Sequence, residues 1–213
     1  MSRKAVAFII VLCIIVGLAA IQLFVLAQTY DLRLLFAGKT IEMGFRITLL
    51  YHNGQVEVID CRDSPKAMLL NPSTGMPISM VTVEVYIIGS LQNVESYSCL
   101  GSLKMQIIED ATGKACYVRD IQLAKAFDMK MEPLKAMVVY KQTMLPNTLE
   151  AMWSGWQEWQ KYRLSYECEY LTVTVQYQNG QTETLKPANL PVKAELTFRY
   201  TRGSFENINY VFY

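Results

Sequence analysis

The chain lacks most of the side chains from which catalytic and metal sites are commonly built. Its 213 residues include a single histidine, so zinc sites with two or three histidines are excluded. A Ser-His-Asp triad is not excluded by that count. The sequence also contains no GxGxxG or GxxxxGK[S/T] nucleotide loop, no GxSxG and no HExxH. The one histidine, His52, adjoins a predicted turn, which indicates a solvated residue. The sequence therefore predicts no catalytic activity of its own and no cofactor.

The chain also lacks a large excess of charge of either sign. Lys and Arg number 20 and Asp and Glu 19, and the longest basic run is the pair Arg3 and Lys4. Proteins that bind nucleic acids depend on clustered basic side chains, so this class of partner is excluded. The hydrophobic fraction of 52% and charged fraction of 18% are opposite to the composition of disordered chains. The chain is therefore expected to fold.

One long apolar run stands near the N-terminus. It extends from Ala5 to Ala27 and is interrupted only by Gly17 and Gln22. As a helix it would be about 34 Å long, enough to cross a hydrocarbon core of about 30 Å. Arg3 and Lys4 precede it, so the positive-inside rule places the N-terminus in the cytoplasm and the rest of the chain outside. The run thus predicts a single-pass anchor in the cell membrane, with residues 5–27 in the lipid bilayer.

Two other interpretations of this run remain open. Residues 25–27 resemble the small-residue cleavage site of a signal peptide, although the apolar run is longer than a typical signal core. A prepilin-like leader, processed after Lys4, would make the helix a filament core. Such a leader usually carries an early glutamate, which this run lacks.

Cysteine usage suggests an oxidising compartment. Cys13 lies in the predicted anchor, and four cysteines follow in the exported part, namely Cys61, Cys99, Cys116 and Cys168. Four cysteines allow up to two disulfides with three possible pairings, and all four are disulfide candidates. The alternative is buried free thiols. No CxxC spacing occurs, so a thioredoxin-like or zinc-ribbon site has little support.

Methionine provides a weak metal candidate. Met129 and Met131 would lie on the same side of a strand, and thioethers suit Cu(I). Methionine is also a common filler of protein cores, and no histidine or cysteine stands beside this pair. Copper is therefore not assigned, and no metal is predicted.

Alternation of apolar and polar residues predicts about ten strands. The pattern runs through 40–51, where Ile41, Met43 and Phe45 begin one face, and Asn53-Gly54 then predicts a two-residue hairpin that pairs Tyr51 with Val56. Further strands are predicted over 56–61, 80–88, 97–108, 115–121, 135–144, 171–177, 182–185, 192–200 and 205–213. This pattern is typical of a β-sandwich, here interpreted as immunoglobulin-like.

The first hairpin has a near copy later in the chain. Residues 51–59 and 177–185 share Tyr, Asn, Gly, Gln and Glu at matching positions. Duplication explains this likeness, but so does the shared requirement of a tight turn between alternating strands. The exported part could therefore be two packed half-units or one sandwich.

Residues 147–163 break the strand pattern and predict an amphipathic helix. Asn147 is the predicted cap, Glu150 has capping-box spacing, and the apolar stripe holds Trp153, Trp156 and Trp159, which are all the tryptophans of the chain. The stripe either covers an open end of the sandwich or docks on a partner or on the membrane interface.

The predicted divisions are 1–27, cytoplasmic tip and anchor; 28–146, a β-sandwich unit; 147–163, the helix; and 164–213, a C-terminal β unit packed on the first.

These observations predict a non-catalytic subunit. Its extracytoplasmic sandwich would bind other membrane or surface proteins in an oligomeric assembly. Two alternatives stay open: an accessory subunit of an integral-membrane oxidoreductase that handles sulfur compounds or quinols, and a filament or surface-layer component. In architecture alone the chain resembles archaeal stator and surface proteins and small exported oxidoreductase subunits, with no motif that carries over a residue's role.

Overall fold

The structure is a computed structural model that describes residues 39–63, 67–69, 77–127, 136–201 and 204–213. Strands account for 69% of this part, and all their pairings are antiparallel. The prediction of a mainly β protein is confirmed. Within the described ranges no helix is long and apolar enough to cross a membrane. The predicted anchor, residues 5–27, lies outside them, as do Met129 and Met131.

Eleven strands and one helix make up the described part. They are β1 (Ile41–Tyr51), β2 (Val56–Asp60), β3 (Ala67–Leu69), β4 (Ile78–Gly89), β5 (Val94–Glu109), β6 (Ala115–Phe127), β7 (Met137–Met144), α1 (Pro146–Met152), β8 (Lys161–Tyr177), β9 (Thr182–Leu185), β10 (Val192–Thr201) and β11 (Ser204–Phe212). The strand predicted over 135–144 is seen as β7, which begins at Met137.

The strands form two layers. One layer has the order β2-β1-β4-β7, and the other has the order β11-β10-β8-β5-β6, with β3 beside β11 and β9 beside β8. Among the described residues, only the pair Ile78 and Phe205 joins the layers by strand pairing, between β4 and β11. One continuous core fills the space between them, with Ile47 and Val83 from the first layer and Leu164 and Leu196 from the second. This arrangement is a β-sandwich.

The predicted boundary between the two β units falls inside a strand. Residues 163 and 164 both belong to β8, which pairs with β5 on one side and β10 on the other. Strands from before and after the helix therefore share one layer.

The two Asn-Gly hairpins have the same turn, which differs from the predicted one. In each, a tyrosine N–H donates to a glutamine carbonyl at 2.9 Å, for Tyr51 to Gln55 and for Tyr177 to Gln181. The loop thus has three residues, and the glycine takes a left-handed φ of 84° at Gly54 and 81° at Gly180. As a result Leu50, not Tyr51, pairs with Val56.

The predicted helix over 147–163 is too long. It ends at Met152, and residues 161–163 already belong to β8. Its N-cap is Leu145, without a side-chain cap, so the proposed cap at Asn147 is wrong. Trp159 has a φ of 69°, which no residue of a right-handed helix adopts. After Met152 the chain is irregular, and its tryptophans pack on β8 and β10.

Candidate functional site

Residues 153–160, here called the tryptophan segment, connect α1 to β8 and close one end of the sandwich. Trp156 lies at its centre and stacks on Tyr200 of β10, with 5.2 Å between ring centroids and an interplanar angle of 28°. Tyr162 of β8 meets the same indole edge to face at 4.6 Å. The Trp156 Nε1–H donates to the Leu149 carbonyl at 2.8 Å. These contacts attach the segment to the second layer and to α1.

Trp153 and Trp159 have different surroundings. Trp153 packs edge to face on Trp156, with centroids 5.0 Å apart, and its indole leaves no room for a side chain at position 155. A Cβ on Gly155 would lie 2.3 Å from Trp153 Cζ2. Trp159, in contrast, is 65% exposed. Two of the three predicted docking tryptophans therefore pack partly within the fold, and one projects into solvent.

The backbone holds Trp159 in its exposed position. Its N–H donates to the Tyr200 carbonyl at 2.9 Å, and the Tyr200 N–H donates to the Gln160 carbonyl at 3.0 Å. Exposed surface residues that scatter singly need no explanation, but Trp159 directly follows Glu158, which lines a pocket. That pocket has a volume of about 440 Å³ and is lined by Glu150, Glu158, Trp153, Trp156 and Tyr200. The Tyr200 hydroxyl donates to Glu150. The result is a surface that combines aromatic rings with two carboxylates.

Cys61, Cys99, Cys116 and Cys168 do not meet. All four are free, so the expectation of disulfides is not supported. Cys99 pairs across β5 and β6 with Lys125, nine positions from Cys116 on the same strand, or about 30 Å. Cys168 faces Val192 on β10, and Cys61 follows β2 in the other layer. A disulfide requires Cα atoms within about 7 Å, which these strand positions do not provide.

Burial makes the thiols poor nucleophiles. It raises the pKa of the Cys61 and Cys99 thiols, and that of Cys168 to about 11. The reactive form of cysteine is the thiolate, so thiol redox chemistry has little support at these three positions. In the described part, no group of three or more His, Cys, Asp or Glu side chains could hold a metal ion. His52 lies exposed in the first hairpin turn, as predicted.

The sequence did not indicate a buried polar network around Asp60. Asp60, at the end of β2, is 8% exposed, and Tyr86 on the outer face of β4 is fully buried. Arg46 and Arg62 both bind the Asp60 carboxylate and both lie near the Tyr86 ring, at 5.4 and 5.0 Å from its centroid. The Cys61 Sγ accepts a hydrogen bond from the Phe45 N–H at 3.3 Å. No sequence motif indicates this network, because its members come from separate strands.

A second recess lies at the opposite end of the sandwich. It is bordered by Lys39, by the connection between β4 and β5, and by the turn of the β8–β9 hairpin. We call this end the Lys39 end and the other the tryptophan end. β8 starts directly after the tryptophan segment and ends at Tyr177, which lines the recess, so its 17 residues separate the ends by about 50 Å along the strand.

Comparison with known proteins adds little. No family model matches the chain, and no curated protein does. Among solved structures, the chain is similar to the X-ray structure of Northeast Structural Genomics Consortium target SoR45, with 12% sequence identity and a TM-score of 0.28. The match covers 72% of this chain and 85% of that chain. A likeness this distant carries no argument about function.

Proposed function

We propose that the protein is a single-pass, membrane-anchored and non-catalytic subunit whose immunoglobulin-like sandwich binds a partner protein outside the membrane. The partner contacts the tryptophan end. The observation that carries this proposal is Trp159, a large aromatic side chain with 65% exposure on a backbone fixed by hydrogen bonds. Tryptophan is enriched among the residues that dominate the energy of interfaces.

The position of this surface supports a protein partner. Lys39 is the described residue nearest in sequence to the predicted anchor, and the tryptophan end lies at the far end of the sandwich from it. A surface there is accessible to another subunit. Glu150 and Glu158 border the pocket lined by Trp153 and Trp156, so we expect the facing surface of the partner to carry Lys or Arg. The raised thiol pKa values favour this binding role over thiol chemistry in an oxidoreductase.

The proposal is tested by purification of the full chain in mild detergent from the cells that produce it. Wild type should retain partner subunits in constant ratio, and Trp159→Ala should lose them while its melting temperature stays unchanged. Leu100→Ala is the matched control, because Leu100 is 58% exposed on β5, away from the tryptophan end. Equal retention of partners by both variants, or a clean wild-type monomer, would contradict the proposal.

A further inference from the structure

The recess at the Lys39 end is lined mainly by carboxamides. Its volume is about 840 Å³, and five of its lining side chains are amides, namely Gln92, Asn93, Gln178, Asn179 and Gln181. Pockets for small ligands commonly measure about 300–1,000 Å³. The volume is thus sufficient for a ligand larger than a single ion.

Backbone contacts fix the two loops that form the recess. The Gln178 N–H donates to the Asn93 carbonyl at 2.9 Å, which ties the β8–β9 turn to the β4–β5 connection. Asn93 has a φ of 58° and Gly180 one of 81°, so each loop holds a defined left-handed residue. The lining side chains therefore start from fixed positions.

Three of the carboxamides are available to a ligand. Asn179 and Gln181 bond to each other, with 3.1 Å between Asn179 Nδ2 and Gln181 Oε1. The side chains of Gln92, Asn93 and Gln178 have no hydrogen-bond partner among the described residues. Each offers both donors and an acceptor to whatever enters the recess.

Charge contributes little to the recess. Its cation, Lys39, pairs with Glu183 at 3.2 Å, and its Nζ lies 4.8 Å from the centre of the Tyr177 ring. The Tyr177 hydroxyl also donates to Glu183, at 2.8 Å. Because the ammonium group already has a carboxylate and a ring as neighbours, the lining residues that the structure describes offer no unpaired cation that would select an anion.

We infer that this recess binds an uncharged, polyhydroxylated ligand, which in chemical terms is a neutral carbohydrate. A hydroxyl group donates and accepts at once, as a carboxamide does, so adjacent hydroxyls of a sugar match adjacent amides. Carboxylate or phosphate ligands would need unpaired cations, which are missing from the described lining of the recess. The sugar could be free or the headgroup of a glycolipid, and the test separates these sources. This inference is independent of the partner proposed for the tryptophan end.

The test uses the full chain in phosphatidylcholine nanodiscs and saturation-transfer NMR. The probes are maltose, lactose, cellobiose and N,N′-diacetylchitobiose, each at millimolar concentration. We expect transfer to at least one of them, and a loss of affinity of tenfold or more in Gln92→Ala/Gln178→Ala. Gln122→Ala, an exposed amide on β6, is the matched control and should bind as wild type does. No transfer to any probe, or equal transfer in the double variant, would overturn the inference.

A second arm identifies the source of the sugar. Nanodiscs that also contain digalactosyldiacylglycerol are compared with plain ones, with lactose as the free competitor. Reduced lactose transfer in the doped nanodiscs indicates a glycolipid headgroup, whereas unchanged transfer indicates a free saccharide. If instead a neutral peptide binds and no sugar does, the ligand class proposed here is wrong.

Discussion

The Tyr86 hydroxyl donates a 2.6 Å hydrogen bond to Asp60 Oδ1. The same carboxylate accepts two bonds of 2.9 Å from the Arg62 guanidinium and one of 3.2 Å from Arg46 Nε. Burial by itself would raise the pKa of Asp60, but the hydrogen bonds from Arg62 and Tyr86 outweigh it and lower the pKa to about 2. The network thus joins β1, β2 and β4 on the outer face of the first layer.

Asp60→Asn should destabilise the fold at neutral pH. The pKa of Asp60 is lower in the folded state than the unfolded value of about 3.9, so its contribution is present above pH 4 and is lost as the pH falls towards 2. We expect a cost of about 2 to 4 kcal/mol at pH 7, because two guanidinium groups lose their carboxylate. Thermal unfolding of the full chain in mild detergent, from pH 7 to pH 2, measures it.

The control for this prediction is Asp120→Asn, which changes an exposed carboxylate on β6. Its melting temperature should follow that of wild type at every pH. The gap between wild type and Asp60→Asn should narrow below pH 4, and a gap that is constant over the whole range would show that Asp60 does not act through its charge.

Local patterns in the sequence predicted most of the strands. Alternation alone identified β1, β4 and β10, since each buries every second side chain against the core. The Asn-Gly pairs located both hairpins correctly. They did not determine the number of loop residues, because Asn-Gly also suits a three-residue loop with a left-handed glycine. That one additional residue shifted the predicted pairing of Tyr51.

Features made by distant strands were not predictable from one sequence. The helical pattern of 147–163 arises from tryptophans that pack on Tyr162 and Tyr200, and this packing overrides helix propensity. The cysteine count suggested disulfides, but strand register decides which thiols meet. The carboxamide recess likewise depends on two loops whose contact no local motif reveals.

The two hairpin glycines should respond alike to substitution. A Cβ on Gly54 or Gly180 would meet nothing within 4 Å, so the cost of Gly→Ala at either position is that of a left-handed backbone alone. We expect about 1 to 2 kcal/mol for each alanine, and less for asparagine, which tolerates this conformation. Chemical unfolding of the alanine and asparagine variants at both positions measures these losses of stability. A larger loss is expected at Gly44→Ala, where a Cβ would lie 2.4 Å from the Tyr86 hydroxyl oxygen. Equal costs for alanine and asparagine would contradict the conformational explanation.

The free cysteines predict a specific labelling pattern. Under native, non-reducing conditions Cys99 and Cys168 should resist iodoacetamide because they are buried, whereas the partly exposed Cys116 should react. In denaturant without reductant, all of Cys61, Cys99, Cys116 and Cys168 should react, as peptide mapping by mass spectrometry would show. The melting temperature should not depend on reductant. Protection that persists in denaturant until reductant is added would reveal a disulfide instead.

Substitutions at Trp156 and Trp159 in the tryptophan segment should differ in their effect on stability. Trp156 stacks on Tyr200, meets Tyr162 and donates a hydrogen bond to Leu149, so Trp156→Ala should lose about 2 to 4 kcal/mol of stability. Trp159→Ala should change stability by about 0.5 kcal/mol or less, since the side chain is mostly solvated. Alanine also has a Cβ, so the positive φ at position 159 costs nearly the same before and after this substitution.

Thermal unfolding of the full chain in mild detergent measures both variants beside wild type. For a chain of this size, about 1 kcal/mol shifts the melting temperature by roughly 2–4 °C, so the loss at Trp156 should be visible. Because all three tryptophans lie in this segment, intrinsic fluorescence reports its unfolding directly. If Trp156→Ala melts as wild type does, the indole contributes little to packing and itself becomes a candidate contact for the partner. If Trp159→Ala melts several degrees lower, its role is structural, and the exposed indole no longer supports a docking surface at this end.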